Sequence, residues 1–282
     1  MNLITWNVQW FCGIDGSVSV ERVVDEACSM ADFDVLCLQE VAVNYPALEG
    51  DAGFDQVARL QALLPGFEVC FGAAVDELGR HGQRQRFGNL IATRLPLATT
   101  WHQALPYPAD GGVRTMPRMC SSATVLTDFG PLRVMTTHLE FYSTVQRAAQ
   151  AQALLDLHAQ ACGHALAPPK LDETGAPFQA KPHTRSAVLC GDFNLLRTDA
   201  EYPLLQSAPA VGATRFTDAW GLVNGARKQD PTFRVFDQRY GPEPIACDFI
   251  FVSEDLAPRV RRVEVNGQTR ASDHQPVLLE LA

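Results

Sequence analysis

Ser186-Ala-Val-Leu-Cys190-Gly191-Asp192-Phe193-Asn194 is an apolar run that breaks at a glycine into two polar side chains separated by one aromatic ring. Ala187 to Cys190 reads as a buried strand, because a continuous apolar run bounded by polar residues suits a strand covered on both faces. Side chains alternate along an extended chain, so Asp192 and Asn194 point one way while Phe193 turns back toward the core. A carboxylate able to accept or steer a proton, and an amide able to donate to an anionic oxygen without adding charge, then sit together at a strand end. Such a pair suits phosphoryl chemistry, in which a protein mainly positions groups and offsets charge. The same two residues are equally those of an Asx turn closing a strand, and on this stretch alone the two readings balance.

Upstream of this run, Leu132 to Thr137 is a strand leading into His138, and residues 144–161 carry an amphipathic helix capped by Ser143 or Thr144. Residues 163–185, with Pro168, Pro169 and Pro177, form a Pro-rich excursion placed to narrow the approach to Asp192. Near the N-terminus Leu3 to Trp6 is a strand that runs into Asn7, Gln9 and Trp10. Asp34 to Glu40 is another strand, ending in a carboxylate, and Val20 to Met30 between them has helical spacing. That order predicts a parallel pair. Asn7 taken alone is most simply a turn residue. Strands at Asn89–Thr93, Leu97–Trp101 and Ser122–Leu126, the last introduced by Arg118, form a hairpin region, so the sheets are mixed. The basic run Gly79 to Arg86 reads as a solvated loop. Ile245 to Ser253, which contains Asp248, then Arg259 to Val265 and Val277 to Leu281 close the chain, with Ser272-Asp273-His274 just ahead of the final strand.

The chain has 282 residues, 46% hydrophobic and 20% charged, with a formal net charge of −9. These are the proportions of an ordinary globular protein, long enough for one large α/β domain. The negative charge argues against broad affinity for polyanions, although a local basic patch can still hold one phosphate. Eight cysteines are scattered without a C-x-x-C pair and read as reduced, buried small hydrophobes. The N-terminus lacks a basic, then apolar, leader, and no apolar run is long enough to span a bilayer, so the expectation is a cytoplasmic chain.

One strand after another thus ends in the groups that a divalent cation and a phosphate need. Hard cations take oxygen ligands, and Asn7, Glu40, Asp192, Asn194 and Asp273 supply such oxygens from well-separated parts of the chain. His138 and His274 can donate to a phosphoryl oxygen or move a proton near neutral pH. Thr5-Trp-Asn7, Leu38-Gln-Glu40, Gly88 to Pro96, Pro117-Arg118, Thr137-His138-Leu139, Gly191-Asp-Phe-Asn194, Asp248 to Ser253 and Ser272-Asp-His274 together resemble the endonuclease/exonuclease/phosphatase superfamily of metal-dependent phosphoesterases. The resemblance runs almost from end to end. It implies a four-layer α/β sandwich, two mixed β-sheets packed face to face with helices outside, in a single domain over residues 1–282 with its active site at one edge.

Residue by residue, the resemblance implies Glu40 as the principal metal carboxylate, with Asn7 and Asp273 close to the same Mg²⁺ or Mn²⁺. Asp192 resembles the group that orients or deprotonates the attacking water, and Asn194 the amide that holds phosphate. His274 resembles the histidine beside the scissile phosphate, with Asp248 fixing its tautomer, and His138 and Arg118 resemble further phosphate donors. The expected activity is hydrolysis of a phosphodiester or phosphomonoester by in-line attack of water. A small-molecule or lipid-like phosphoester or damaged DNA is the expected substrate, with no obligate protein partner. The alternatives are endonuclease or exonuclease action on DNA, and a catalytically silent binding module on the same fold.

Overall fold

The computed structural model describes residues 1–178, 180–208 and 210–282; Gln179, inside the 163–185 excursion, lies outside the described residues. The strands are β1 (Asn2–Asn7), β2 (Val35–Val43), β3 (Glu68–Leu78), β4 (Arg84–Thr93), β5 (Leu97–Ala104), β6 (Met119–Thr127), β7 (Gly130–His138), β8 (Ala187–Asp192), β9 (Phe216–Asp218), β10 (Asp248–Ser253), β11 (Val260–Val265) and β12 (Val277–Leu281). The helices are α1 (Val20–Met30), α2 (Gln56–Leu63), α3 (Thr144–Leu166), α4 (Glu201–Leu205) and α5 (Ala219–Asn224). Two six-stranded sheets result, ordered β11-β12-β1-β2-β4-β3 and β5-β6-β7-β8-β10-β9.

Alternation along the strands explains the layering. Leu3, Val35 and Cys37 face Ala123, Val134, Val188 and Ile250 of the other sheet. The intervening Ile4, Leu36 and Leu38 pack outward beneath Val20, Val23 and Leu60 of the first two helices. On the far side Met135, Leu189 and Phe251 pack with Leu154 of α3. Strands covered on both faces need apolar residues at every position, hence the unbroken runs in the sequence. Each large side chain so buried contributes about 2 kcal/mol. Helices α1 and α3 start where a short polar side chain caps them: Ser19 accepts from the Arg22 amide and Ser143 from the Gln146 amide.

Each sheet carries one parallel pair joined by a helical crossover, β1–α1–β2 in one and β7–α3–β8 in the other. All other strand pairings are antiparallel. Gly191 is required where β7 and β8 meet: its φ is 137°, and a Cβ there would lie 1.9 Å from the Thr137 carbonyl oxygen.

Three sequence expectations change. The second strand does not stop at Glu40. β2 continues to Val43 through a register shift between Leu38 and Val41, with Glu40 at φ 61°. Such an irregularity re-aims a side chain without ending the strand. Arg84 and Arg86 are not in a solvated loop but open β4, beside Asp76 of β3. Helix α3 extends to Leu166 and absorbs the start of the excursion. All eight cysteines are free, six of them buried. Among the described residues no helix is long and apolar enough to cross a membrane.

Candidate active site

The carboxyl ends of the two parallel pairs converge on one cavity of about 520 Å³. β1 delivers Asn7 and β2 delivers Glu40, while β7 and β8 deliver His138 and Asp192 as direct register partners. The two antiparallel neighbours enter from the same end. β10 begins with Asp248 opposite Asp192, and β12 pairs with β1 from Thr5–Val277 onward, which leaves Asp273 and His274 beside the end of β1. Ser272 donates to the Asn7 carbonyl at 2.8 Å and the Trp6 indole donates to the His274 carbonyl at 2.9 Å, so the last loop is fastened to the first strand.

The local backbone is strained where it serves the cavity. Seven non-glycine residues among those described have positive φ, and four of them, Gln9, Trp10, Glu40 and Asn194, line it. Each such conformation costs about 1–3 kcal/mol and persists only where the surroundings enforce it.

The side chains form one hydrogen-bonded set. Asn7 Nδ2 donates to Glu40 Oε1 at 3.2 Å and to Asp192 Oδ2 at 3.0 Å, while its Oδ1 accepts from the Gln9 amide at 3.1 Å. Asn7 therefore meets the carboxylates as a donor; its oxygen, expected beside a metal, is committed to the backbone. Asn194 donates through Nδ2 to His138 Nε2 and to the Leu139 carbonyl, both at 3.0 Å. Those bonds use the amide hydrogens expected to hold phosphate, so in this arrangement Asn194 positions His138. They also leave the His138 ring proton on Nδ1, which lies 3.8 Å from Glu40 Oε1. His274 Nδ1 is 2.9 Å from Asp248 Oδ2, and its Nε2 is 3.7 Å from Asp192 Oδ2.

The two imidazoles are poised oppositely. Burial disfavours charge on His274, but the Asp248 and Asp192 carboxylates outweigh it and hold its pKa well above the usual range. Burial, with Arg118 and His274 nearby, holds His138 well below it. Burial lifts Asp192 to about 6, with the charge of Asp248 adding to it. Burial also lifts Asp273 to about 6, against the pull of His274 and with the charge of Glu40 adding. Glu40 is raised by burial as well. Buried carboxylates crowded in this way offer oxygen donors of the kind a hard cation takes. A further cluster, Asp192, Cys247, Asp248 and His274, has ligand atoms within 4.8 Å of one another. Its Asp248 Oδ2 already takes the His274 ring and the Cys247 thiol, and neither Cys247 nor Asp248 reaches the cavity lining. Glu40 and Asp273, both on the cavity wall, are the better fit.

A model of the endonuclease/exonuclease/phosphatase family matches residues 4–274. The chain belongs to that family. Solved structures with the same fold include an endonuclease/exonuclease/phosphatase of Beutenbergia cavernae, at 22% identity and a TM-score of 0.70 over 100% of this chain and 72% of that one. A mannosyl-6-phosphatase of Bacteroides thetaiotaomicron aligns at 19% identity and 0.67, over 100% and 99% of the two chains. TDP2 of D. rerio, solved with a single-strand DNA product, aligns at 19% identity and 0.63, over 100% and 98%. No curated protein matches the chain in sequence.

In this member of the endonuclease/exonuclease/phosphatase family, Arg118 is buried beside the cavity. Its Nε donates to Glu140 Oε2 at 3.1 Å, and its Nη1 has no partner among the described residues. Glu140, fully buried, also accepts from the Tyr142 amide at 3.0 Å. Sequence reasoning missed it, although its place two residues after His138 was a usable signal. Gln9, read in the sequence only as following a strand end, lines the cavity. Arg118, expected to hold phosphate, reaches the cavity wall together with Arg114, and Arg84 and Arg86 of the basic run do not. The Pro-rich excursion enters β8 at Ala187, the end opposite Asp192. None of its described residues lines the cavity, so it does not narrow the approach to Asp192.

Proposed function

We propose that the protein is a divalent-metal-dependent hydrolase of phosphoesters, with residues 1–282 acting as one catalytic unit. The observation that carries this reading is the convergence of Glu40, Asp192 and Asp273 with two oppositely poised histidines on one cavity wall. Glu40 and Asp273 are the residues that hold the cation, and Asn7 ties Glu40 to Asp192. A bound Mg²⁺ or Mn²⁺ supplies charge neutralisation to the phosphate and its leaving oxygen.

The chain's own groups do the rest. Asp192 Oδ1 is held by the Asn194 amide at 2.9 Å, which leaves Oδ2 turned toward both histidines to orient water and accept its proton. His274 Nε2, on a ring held by Asp248, donates to a phosphoryl oxygen. His138 Nδ1 and the unpartnered Nη1 of Arg118 are further donors to the same group. The names of the structural neighbours, one a sugar-phosphate phosphatase and one a protein solved with DNA product, leave the substrate open. The acidic wall and the few cations favour a small or lipid-like phosphoester, or a local DNA lesion, over long intact duplex.

The test is turnover, with Mg²⁺, of phosphomonoesters, phosphodiesters, sphingomyelin and nicked or abasic DNA, beside nicking of intact plasmid. Hydrolysis of at least one small, lipid or lesion substrate is expected, with little plasmid nicking. Absence of hydrolysis across the whole panel would contradict the proposal.

A further inference from the structure

We infer that the cavity takes a phosphoester carrying a flat aromatic ring close to its phosphate, seated against Phe233, Tyr240 and Phe141. The inference rests on the phosphoesterase reading and names its substrate class. It starts at His274, the group placed against the phosphate. Phe233 stacks on the His274 ring with centroids 4.3 Å apart and planes at 20°. Tyr240 follows at 5.9 Å from Phe233, Phe141 at 6.2 Å from Tyr240, and Tyr142 at 4.7 Å from Phe141. All four line the cavity. A ring surface thus runs unbroken from the phosphate position to the mouth, where Tyr240 is 45% and Tyr142 48% exposed.

Half-exposed tyrosines are common on protein surfaces, so the rings need a second observation to count as a site. The charge around them supplies it. The cavity wall carries the carboxylates of Glu40, Glu77, Glu140, Asp192 and Asp273. Against them stand two guanidinium groups: Arg118, tied to Glu140, and Arg114, which has no carboxylate partner among the described residues. A string of phosphates finds no basic track here. One phosphate with a compact apolar body does, and the cavity volume is in the usual range for small-molecule sites.

The ring arrangement selects among apolar bodies. Phe141 meets Tyr142 at 85° and Tyr240 at 72°, so the wall offers both ring faces and ring edges. Aromatic groups gain from such a wall beyond the area they bury, and saturated groups of equal size do not.

Calorimetric titration of the Mg²⁺-loaded protein with phenyl-, cyclohexyl- and methylphosphonate tests this, since none of the three is hydrolysed and all carry the same anionic group. Phenylphosphonate is expected to bind roughly threefold or more tighter than the cyclohexyl compound, and roughly tenfold or more tighter than the methyl compound. Tyr240→Leu should remove the phenyl-over-cyclohexyl preference and Tyr240→Phe should keep it. Equal binding of the phenyl and cyclohexyl compounds overturns the inference in favour of a lipid-like site. Equal binding of phenyl and methyl overturns it in favour of ordinary surface rings. Phenyl-selective binding by a protein that hydrolyses no phosphoester would uphold the ring site and retire the hydrolase reading instead.

Discussion

His274 and His138 share one cavity and are both buried, yet their pKa values are pushed in opposite directions, and the cause is which neighbours each one has. His274 has Asp248 at 2.9 Å, whereas His138 accepts from an amide and faces Arg118 and His274. An imidazolium that donates and a neutral ring that stays put are different tools. Asp248→Asn should separate them: an amide holds the ring but does not stabilise its charge, so kcat should fall roughly 100-fold or more while KM changes little. Steady-state kinetics on one phosphodiester checks this, and a variant that loses affinity but keeps kcat would show that Asp248 acts on binding. At this scale Asp248, His274 and Asp192 were legible because each ends or begins a recognisable strand in a short recognisable stretch. Glu140 was not, since its role appears only once Arg118, from another loop, is seen against it. Nor were the committed hydrogens of Asn7 and Asn194, because a residue type does not reveal where its amide points.

At the scale of elements, the strand–helix–strand order near the N-terminus made the β1–β2 parallel pair readable, while the matching β7–β8 pair emerged only in the structure. The bulge in β2 was hidden, because Gln39-Glu40 followed by Val-Ala-Val reads as a strand end and a fresh start. The anchoring of α3 was also hidden. Arg133 of β7 donates to His158 Nδ1 at 2.6 Å and to the Thr184 carbonyl at 2.9 Å, and His158 Nε2 donates to the Thr214 carbonyl at 2.9 Å. This clamp joins the helix, the sheet, the C-terminal end of the Pro-rich stretch and Thr214 ahead of β9. Burial, with Arg133 beside it, lowers the pKa of His158 to about 4; Asp255 opposes the shift and Arg185 adds to it, while Cys162 lies one turn along the helix. The unfolded value is about 6.5. The folded state therefore refuses a proton that the unfolded chain accepts, and stability is lost as pH falls from about 6.5 to about 4, by about 3 kcal/mol. Urea unfolding at the two ends of that range should show His158→Gln losing less than the unsubstituted protein. Equal losses would remove His158 as the cause.

For the molecule as a whole, the net charge of −9 is not spread evenly in its consequences. Much of the acid is surface charge balanced by arginine, as at Arg94 with Asp32 and Asp34, where the pairing is worth little. The carboxylates of the cavity are different: Glu40, Asp192 and Asp273 are crowded where two sheets end, and their pKa values are raised first by burial, with a neighbouring carboxylate adding to each, a cost of holding charge that a cation would relieve. Composition foretold a large α/β chain but not this concentration, which depends on four strand ends meeting. Turnover of a small phosphodiester in EDTA, followed by return of metal, tests that reading most directly. Activity should vanish in chelator and return with Mg²⁺ or Mn²⁺, and Glu40→Gln should need roughly tenfold or more metal for half-maximal return. Undiminished turnover in chelator would contradict it.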